Sequence, residues 1–187
     1  IKSVEKVKYA RTKGLDVIIC DHHYPGDEIP KALAVLDPKQ PSCNYPYKEL
    51  SGCGVGFKLV QAYSRVRGIP FSEIAHYLDL VAVSIASDIV PITGENRVMA
   101  YFGLKQLNES PRTGLKELIR ESEVSRALTI EDVVFKIGPR INAAGRMETG
   151  SKAVDLLVSS DSRLAAGISK EINNFNVERR SVDRIIT

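Results

Sequence analysis

The sequence predicts an α/β fold: a parallel sheet flanked by helices, followed by a helical segment and a long connector helix. Three observations lead there. Residues 16–20 form a short apolar run rich in β-branched side chains, set off by Gly14, as in a buried strand of a parallel sheet. A second short run, residues 34–36, follows after a Pro/Gly-containing link. Most of the remaining chain carries helix-spaced apolar residues between Gly, Pro and capping signals.

The elements follow in order. Residues 3–13 alternate Lys with Val4, Val7 and Tyr9-Ala10 at helical spacing, and Gly14 stops them. Helix, Gly14 and strand 16–20 make one αβ step. Strand 34–36 ends at Asp37-Pro38, and residues 38–46 are loop. Ser51-Gly52-Cys53-Gly54-Val55-Gly56 opens a helix with Phe57, Val60, Tyr63 and Val66 on one face, ended by Gly68. A Gly-rich helix start can cradle phosphate. It can equally bring a helix close to a neighbour, and spacing favours that plainer reading, since neither a Walker loop nor a dinucleotide fingerprint is present.

Residues 71–87 are apolar on most sides and predict a central buried helix. Asp88 stands at its exit in Ser87-Asp88-Ile89-Val90-Pro91. A lone buried carboxylate is costly unless a metal or a cation meets it. An Asp that ends a helix in solvent is the equal alternative. Helices follow over 96–107, with Val98, Phe102 and Leu107 inward, and over 114–123. Thr129-x-x-Asp132 has the form of a capping box. A loop is then expected at Gly138-Pro139-Arg140-Ile141-Asn142-Ala143-Ala144-Gly145-Arg146. Arg140 and Arg146 there offer forks that match phosphate, and the small residues leave room for a ligand. Two loop arginines are common, so composition alone favours an ordinary surface loop. Residues 151–159 form a short helix. The last helix, capped by Asp161 or Ser162, carries Leu164, Ile168, Ile172 and Phe175. Its second half reads as poorly buried because of Asn173, Asn174, Asn176, Glu178, Arg179 and Arg180.

Composition narrows the class. The chain has 187 residues, 43% hydrophobic and 26% charged, as a globular protein does. No apolar run reaches membrane-spanning length. The net charge of +3 hints only weakly at an anionic partner. Cys20, Cys43 and Cys53 are odd in number and form no Cys-x-x-Cys pair, which suits a reducing, cytoplasmic setting.

Chemistry concentrates at Asp21-His22-His23, directly after the first strand. Ligands of open α/β sheets bind outside the carboxyl ends of the strands. Adjacent histidines on an extended chain point to opposite sides, so one can face a metal while the other needs a separate task. Nitrogen and carboxylate donors suit Mn²⁺, Mg²⁺ or Zn²⁺. A zinc site from Cys20, His22 and Cys43 lacks the spacing of any closed module.

Asp21-His22-His23 resembles the motif that names the DHH phosphoesterase superfamily. Ser87-Asp88-Ile89-Val90-Pro91 resembles its next motif, and the stretch from Gly138 to Arg146 resembles that of the branch of single-strand-specific 5′→3′ DNA exonucleases. The likeness covers nearly the whole chain. It implies a metal-dependent 5′→3′ exonuclease acting on single-stranded DNA in repair and recombination, with two divalent metals, Mn²⁺ or Mg²⁺, and a monomeric, cytoplasmic protein. It implies His22 and Asp88 as metal ligands, Asp21 and His23 as catalytic groups orienting the site and facing the phosphate, and Arg140, Asn142 and Arg146 along the substrate backbone. In the family, aspartates from two earlier motifs complete the metal centre, and nothing upstream of Asp21 matches them. Residues 1–160 are therefore expected to be a partial phosphoesterase domain. Residues 161–187 would be a connector toward a further domain, and the fragment by itself inactive. A nucleotide phosphatase or oligonucleotidase of the same superfamily, and a non-catalytic nucleic-acid-binding module, are the alternatives.

Overall fold

The computed structural model describes residues 1–147 and 150–186, with side chains at 146, 147 and 179–186 outside the description. Helix α1 (Val4–Thr12) leads through Gly14, at φ +70, into β1 (Ile18–Cys20). A Gly is what this left-handed turn requires. β1 pairs in parallel with β2 (Ala34–Leu36), Ile18 opposite Ala34 and Cys20 opposite Leu36. The first strand is shorter than expected because pairing begins only at Ile18, and it is not buried as expected, since Ile18 and Cys20 are exposed.

Helix α2 (Gly52–Val66) starts where the Gly-rich stretch was expected to open it, with Ser51 as its N-cap. Two 3₁₀ turns, Phe71–Glu73 and Ala75–Tyr77, precede α3 (Leu78–Ser87), so the buried helix begins later than its apolar pattern suggests. α3 is the hub. One core joins it to Leu50, Val55, Phe57 and Met99; the other joins it to Leu118, Ile137, Leu156 and Ile172. α4 (Gly94–Glu109) and α5 (Thr113–Glu121) pack beside it. The buried Asp79 of α3 takes a two-pronged ion pair from Arg112, 2.7 and 2.8 Å, tying α3 to the start of α5.

The faces of α2 and α4 differ from expectation. Val60, Tyr63 and Val66 are exposed, as are Val98 and Phe102, while Gly54, Val55, Phe57, Met99, Ala100 and Gly103 face inward. The cause is close backbone approach: a Cβ on Gly103 would lie 2.1 Å from the Leu78 carbonyl oxygen. On α4, Gly103 and Ala100 therefore face α3 at the close approach, and Val98 and Phe102 turn outward.

Thr129 and Asp132 form the expected capping box around the single turn α6 (Ile130–Asp132), followed by a π-helical turn, Val133–Ile137. The stretch expected to be a loop is helix α7 (Gly138–Met147). It continues straight from the π turn, and Pro139 sits in the first turn, where its missing N–H costs nothing. Ala143 and Ala144 are fully buried, and alanine is the strongest helix former. The small residues thus serve packing: a Cβ on Gly138 would come within 2.8 Å of Ser87 Oγ. α8 (Ser151–Val158) and α9 (Ser162–Ile186) close the second core. Ala165, Ser169, Ile172 and Asn176 of α9 are buried against it, so burial extends past Asn173, contrary to the polar pattern. No helix among the described residues is long and apolar enough to cross a membrane.

Candidate metal centre and substrate face

The site lies at the carboxyl end of β1, where α3 ends and α2 begins. Strand pairing stops at Cys20, although Asp21 N–H still donates to the Leu36 carbonyl at 3.0 Å. Asp21 then organises the triplet. Its Oδ1 accepts from the backbone N–H groups of His22 (2.7 Å) and His23 (3.1 Å), and from His23 Nδ1 at 2.8 Å. This Asx-type turn ends the extended chain, so the two imidazoles do not diverge. Their centroids are 4.4 Å apart. Burial works to raise the Asp21 carboxyl, and the hydrogen bonds from His23 and from the backbone N–H groups of His23 and His22 work to lower it. With Nδ1–H donating to Asp21 Oδ1, Nε2 is the His23 ring atom left open to an outside partner. The His23 side chain is 67% exposed, against 15% for His22, which separates an outward-facing group from an enclosed one.

His22 and Asp88 are far apart in sequence but meet here, Nε2 to Oδ2 3.7 Å. The Gly52 backbone at the start of α2 lies beside them: a Cβ there would stand 3.5 Å from the His22 ring and 3.9 Å from Asp88 Oδ2, in ordinary contact with both. This donor pair is that of a divalent-metal site, and these residues fit such an ion. Among the described residues, no group of three or more His, Cys, Asp or Glu side chains is arranged to hold a metal ion.

The start of α2 is fully accounted for at this point. Ser51 Oγ accepts from Gly54 N–H at 3.2 Å, and Ser51 O from Val55 N–H at 3.0 Å. The Gly52 N–H donates to Asp88 Oδ2 (3.3 Å) and the Cys53 N–H to Ser84 Oγ (3.2 Å). Two of the orphan amides of a helix start are thus spent on the Asp88 carboxylate and on a serine beside it. Ser84 carried no signal in the sequence beyond lying four residues before Asp88, about one helical turn away.

Past Asp88, Ile89 has φ +53 and is 81% exposed, a conformation rare for a β-branched residue. Asn96, fully buried, holds both flanking loops by donating from Nδ2 to Glu49 O (2.5 Å) and Pro91 O (3.0 Å). Ile89, Ser87, Pro139 and Asn142 line a cavity of about 180 Å³ next to Asp88. Asn142 is exposed there. Arg140 is turned to other duties. Its guanidinium donates to Lys136 O (2.6 Å), Asn173 Oδ1 (2.9 Å) and Glu121 O (3.2 Å), binding α7 to α9 and the end of α5. The Arg146 side chain lies outside the described residues.

Comparison with known proteins agrees with this geometry. Residues 1–85 match the DHH family, N-terminal domain. The chain is 45% identical over 184 residues to the single-stranded-DNA-specific exonuclease RecJ of Bacillus subtilis, covering 97% of this chain and 22% of the relative. It is 34% identical over 195 residues to RecJ of Escherichia coli, covering 98% of this chain and 34% of that protein. The structure of RecJ from Thermus thermophilus in complex with Mn²⁺ superposes at a TM-score of 0.87 with 29% identity, over 100% of this chain and 28% of that one. The chain belongs to the DHH phosphoesterase superfamily. Within the superfamily it is RecJ-like, and it spans between about a fifth and a third of the length of these curated relatives.

Proposed function

We propose that this chain is part of a metal-dependent 5′→3′ exonuclease for single-stranded DNA, serving repair and recombination in the cytoplasm. The observation that carries the reading is the convergence of His22 Nε2 and Asp88 Oδ2 at 3.7 Å, at the carboxyl end of β1 beside the start of α2. The relatives named above support the substrate class. His22 and Asp88 would hold divalent metal, Mn²⁺ or Mg²⁺, in a centre of two ions. Bound metal supplies an acidified water nucleophile and charge stabilisation on the phosphate.

The chain's own residues divide the remaining work. Asp21 fixes the His23 ring by accepting a hydrogen bond from Nδ1. His23 then presents Nε2 to a phosphate oxygen, where protonated it neutralises charge developing in the displacement. Asn142 faces the strand from the cavity rim. Arg140 holds α7, the helix that carries Asn142, against α5 and α9, and Arg146 continues the same helix toward the substrate. Residues 1–160 form the phosphoesterase unit together with the first half of α9, which packs into the same core through Ala165 and Ile172, and the rest of α9 leads toward a further domain. The isolated 187-residue chain supplies one imidazole and one carboxylate to the centre, too few to sustain turnover.

The test uses the full-length protein on 5′-labelled single strands, duplexes and short oligonucleotides with Mn²⁺. Processive loss of the 5′ label from long single strands, abolished in His22→Ala and Asp88→Ala, is expected. Preference for di- or trinucleotides would shift the assignment to an oligonucleotidase, and full activity in Asp88→Ala would defeat it. Mn²⁺-dependent nucleotide release by residues 1–187 alone would refute the expected inactivity of that segment.

A further inference from the structure

We infer that Ser84 is a positioning residue for Asp88, coupling the start of α2 to the carboxylate that faces His22. The inference rests on the reading of Asp88 as a metal ligand. Ser84 and Asp88 stand one turn apart at the end of α3, so their side chains share a face. The Ser84 hydroxyl donates to Asp88 Oδ2 at 3.1 Å and accepts the Cys53 N–H at 3.2 Å. Gly52 N–H adds a second donor to the same oxygen at 3.3 Å. A carboxylate at the end of a helix has free χ angles and a fraying backbone. Here two donors from different elements fix one oxygen, and one of them is a hydroxyl whose own orientation is set by a backbone amide.

The alternative use of Ser84, filling the α2–α3 contact, is a weaker account. A packing role needs no hydroxyl, and an alanine would serve it; α3 already uses Ala82 and Ala86 for close contacts. The hydroxyl matters because without it the Cys53 N–H loses its acceptor and Asp88 Oδ2 loses one of its two donors together. Outer partners of metal ligands orient them, and their loss typically weakens metal affinity or activity about 10–100-fold. Ser84 acts in that way, and the relation runs through Asp88, the side chain its hydroxyl touches.

The experiment measures Mn²⁺ affinity of the full-length protein by titration calorimetry, without DNA, for wild type, Ser84→Ala, Ser84→Thr and Asp88→Ala, alongside metal-free melting temperature. Ser84→Ala is expected to weaken Mn²⁺ binding about tenfold or more, and Ser84→Thr, which keeps the hydroxyl, to recover most of it. The Cys53 amide in Ser84→Ala should also exchange with solvent faster than in wild type. Wild-type affinity in Ser84→Ala overturns the inference. So does a loss of affinity that Ser84→Thr fails to restore at a wild-type melting temperature, because that marks a packing effect. If Ser84→Ala melts early, the Ser84→Thr arm alone decides. Unchanged Mn²⁺ binding in Asp88→Ala would instead bring down the metal-site reading, which separates the two failures.

Discussion

Replacing Arg140 with Ala distinguishes a guanidinium that holds the protein together from one that holds DNA. The side chain spans three acceptors on three elements, Lys136 O, Asn173 Oδ1 and Glu121 O. Its surroundings are half-buried, so water can reach part of what the substitution uncovers. Three hydrogen bonds at roughly 1 kcal/mol net each suggest a loss of about 2–3 kcal/mol. For a domain of this size that corresponds to a fall in melting temperature of roughly 4–12 °C. Single-strand affinity measured over a salt series on the same variant should keep its wild-type slope. Arg140→Lys should recover little stability, because one ammonium cannot reach three separated acceptors. The opposite pattern would refute this reasoning: an unchanged melting temperature with a log–log salt slope shallower by about 0.7, which signals a lost single-strand phosphate contact.

Other perturbations have defined outcomes. Gly103→Ala forces a Cβ to 2.1 Å from the Leu78 carbonyl, and overpacking of this kind should cost about 1–3 kcal/mol in denaturant unfolding; wild-type stability would show that α3 and α4 can separate freely. Asp132 is held well below the ordinary carboxylate range by the Thr129 N–H, then by Arg126, despite the opposing effect of desolvation. Its folded value is the lower one, so its contribution is fully present above the ordinary carboxylate pKa and lost as pH falls toward the folded value. Asp132→Asn should therefore reduce stability at neutral pH and flatten the acid side of the stability–pH profile. A variant profile parallel to wild type down to strong acid would contradict the capping role.

How much of this was legible in the sequence depended on whether the cause is local. The strand ending in Asp21-His22-His23, the Ser51 helix start, the Thr129–Asp132 box and the glycine stop at Gly14 are local, and they were readable. What failed is decided across elements. The inward face of α4 is chosen by how closely the Leu78 backbone approaches Gly103, not by the size of Val98 or Phe102. The stretch around Arg140 reads as a surface loop whose small residues leave room for a ligand, yet Ala143 and Ala144 are small because α7 is buried there. Asp88 had two equal readings, solvent or metal, and its approach to His22 and Gly52 could not be read locally because neither lies near it in sequence. The histidines were expected to diverge, and the Asp21 turn instead sets their rings together. Ser84 had no sequence signal of its own, because half of its role is to accept a backbone amide from another helix.

The central claim is that His22 and Asp88 jointly hold a catalytic divalent metal. Anomalous diffraction from Mn²⁺-soaked crystals of the full-length protein tests it most directly. The account predicts a peak at coordination distance from both His22 Nε2 and the Asp88 carboxylate, absent in Asp88→Ala crystals soaked identically. A protein that turns over single-stranded DNA in Mn²⁺ while its anomalous peaks lie away from both residues would contradict it.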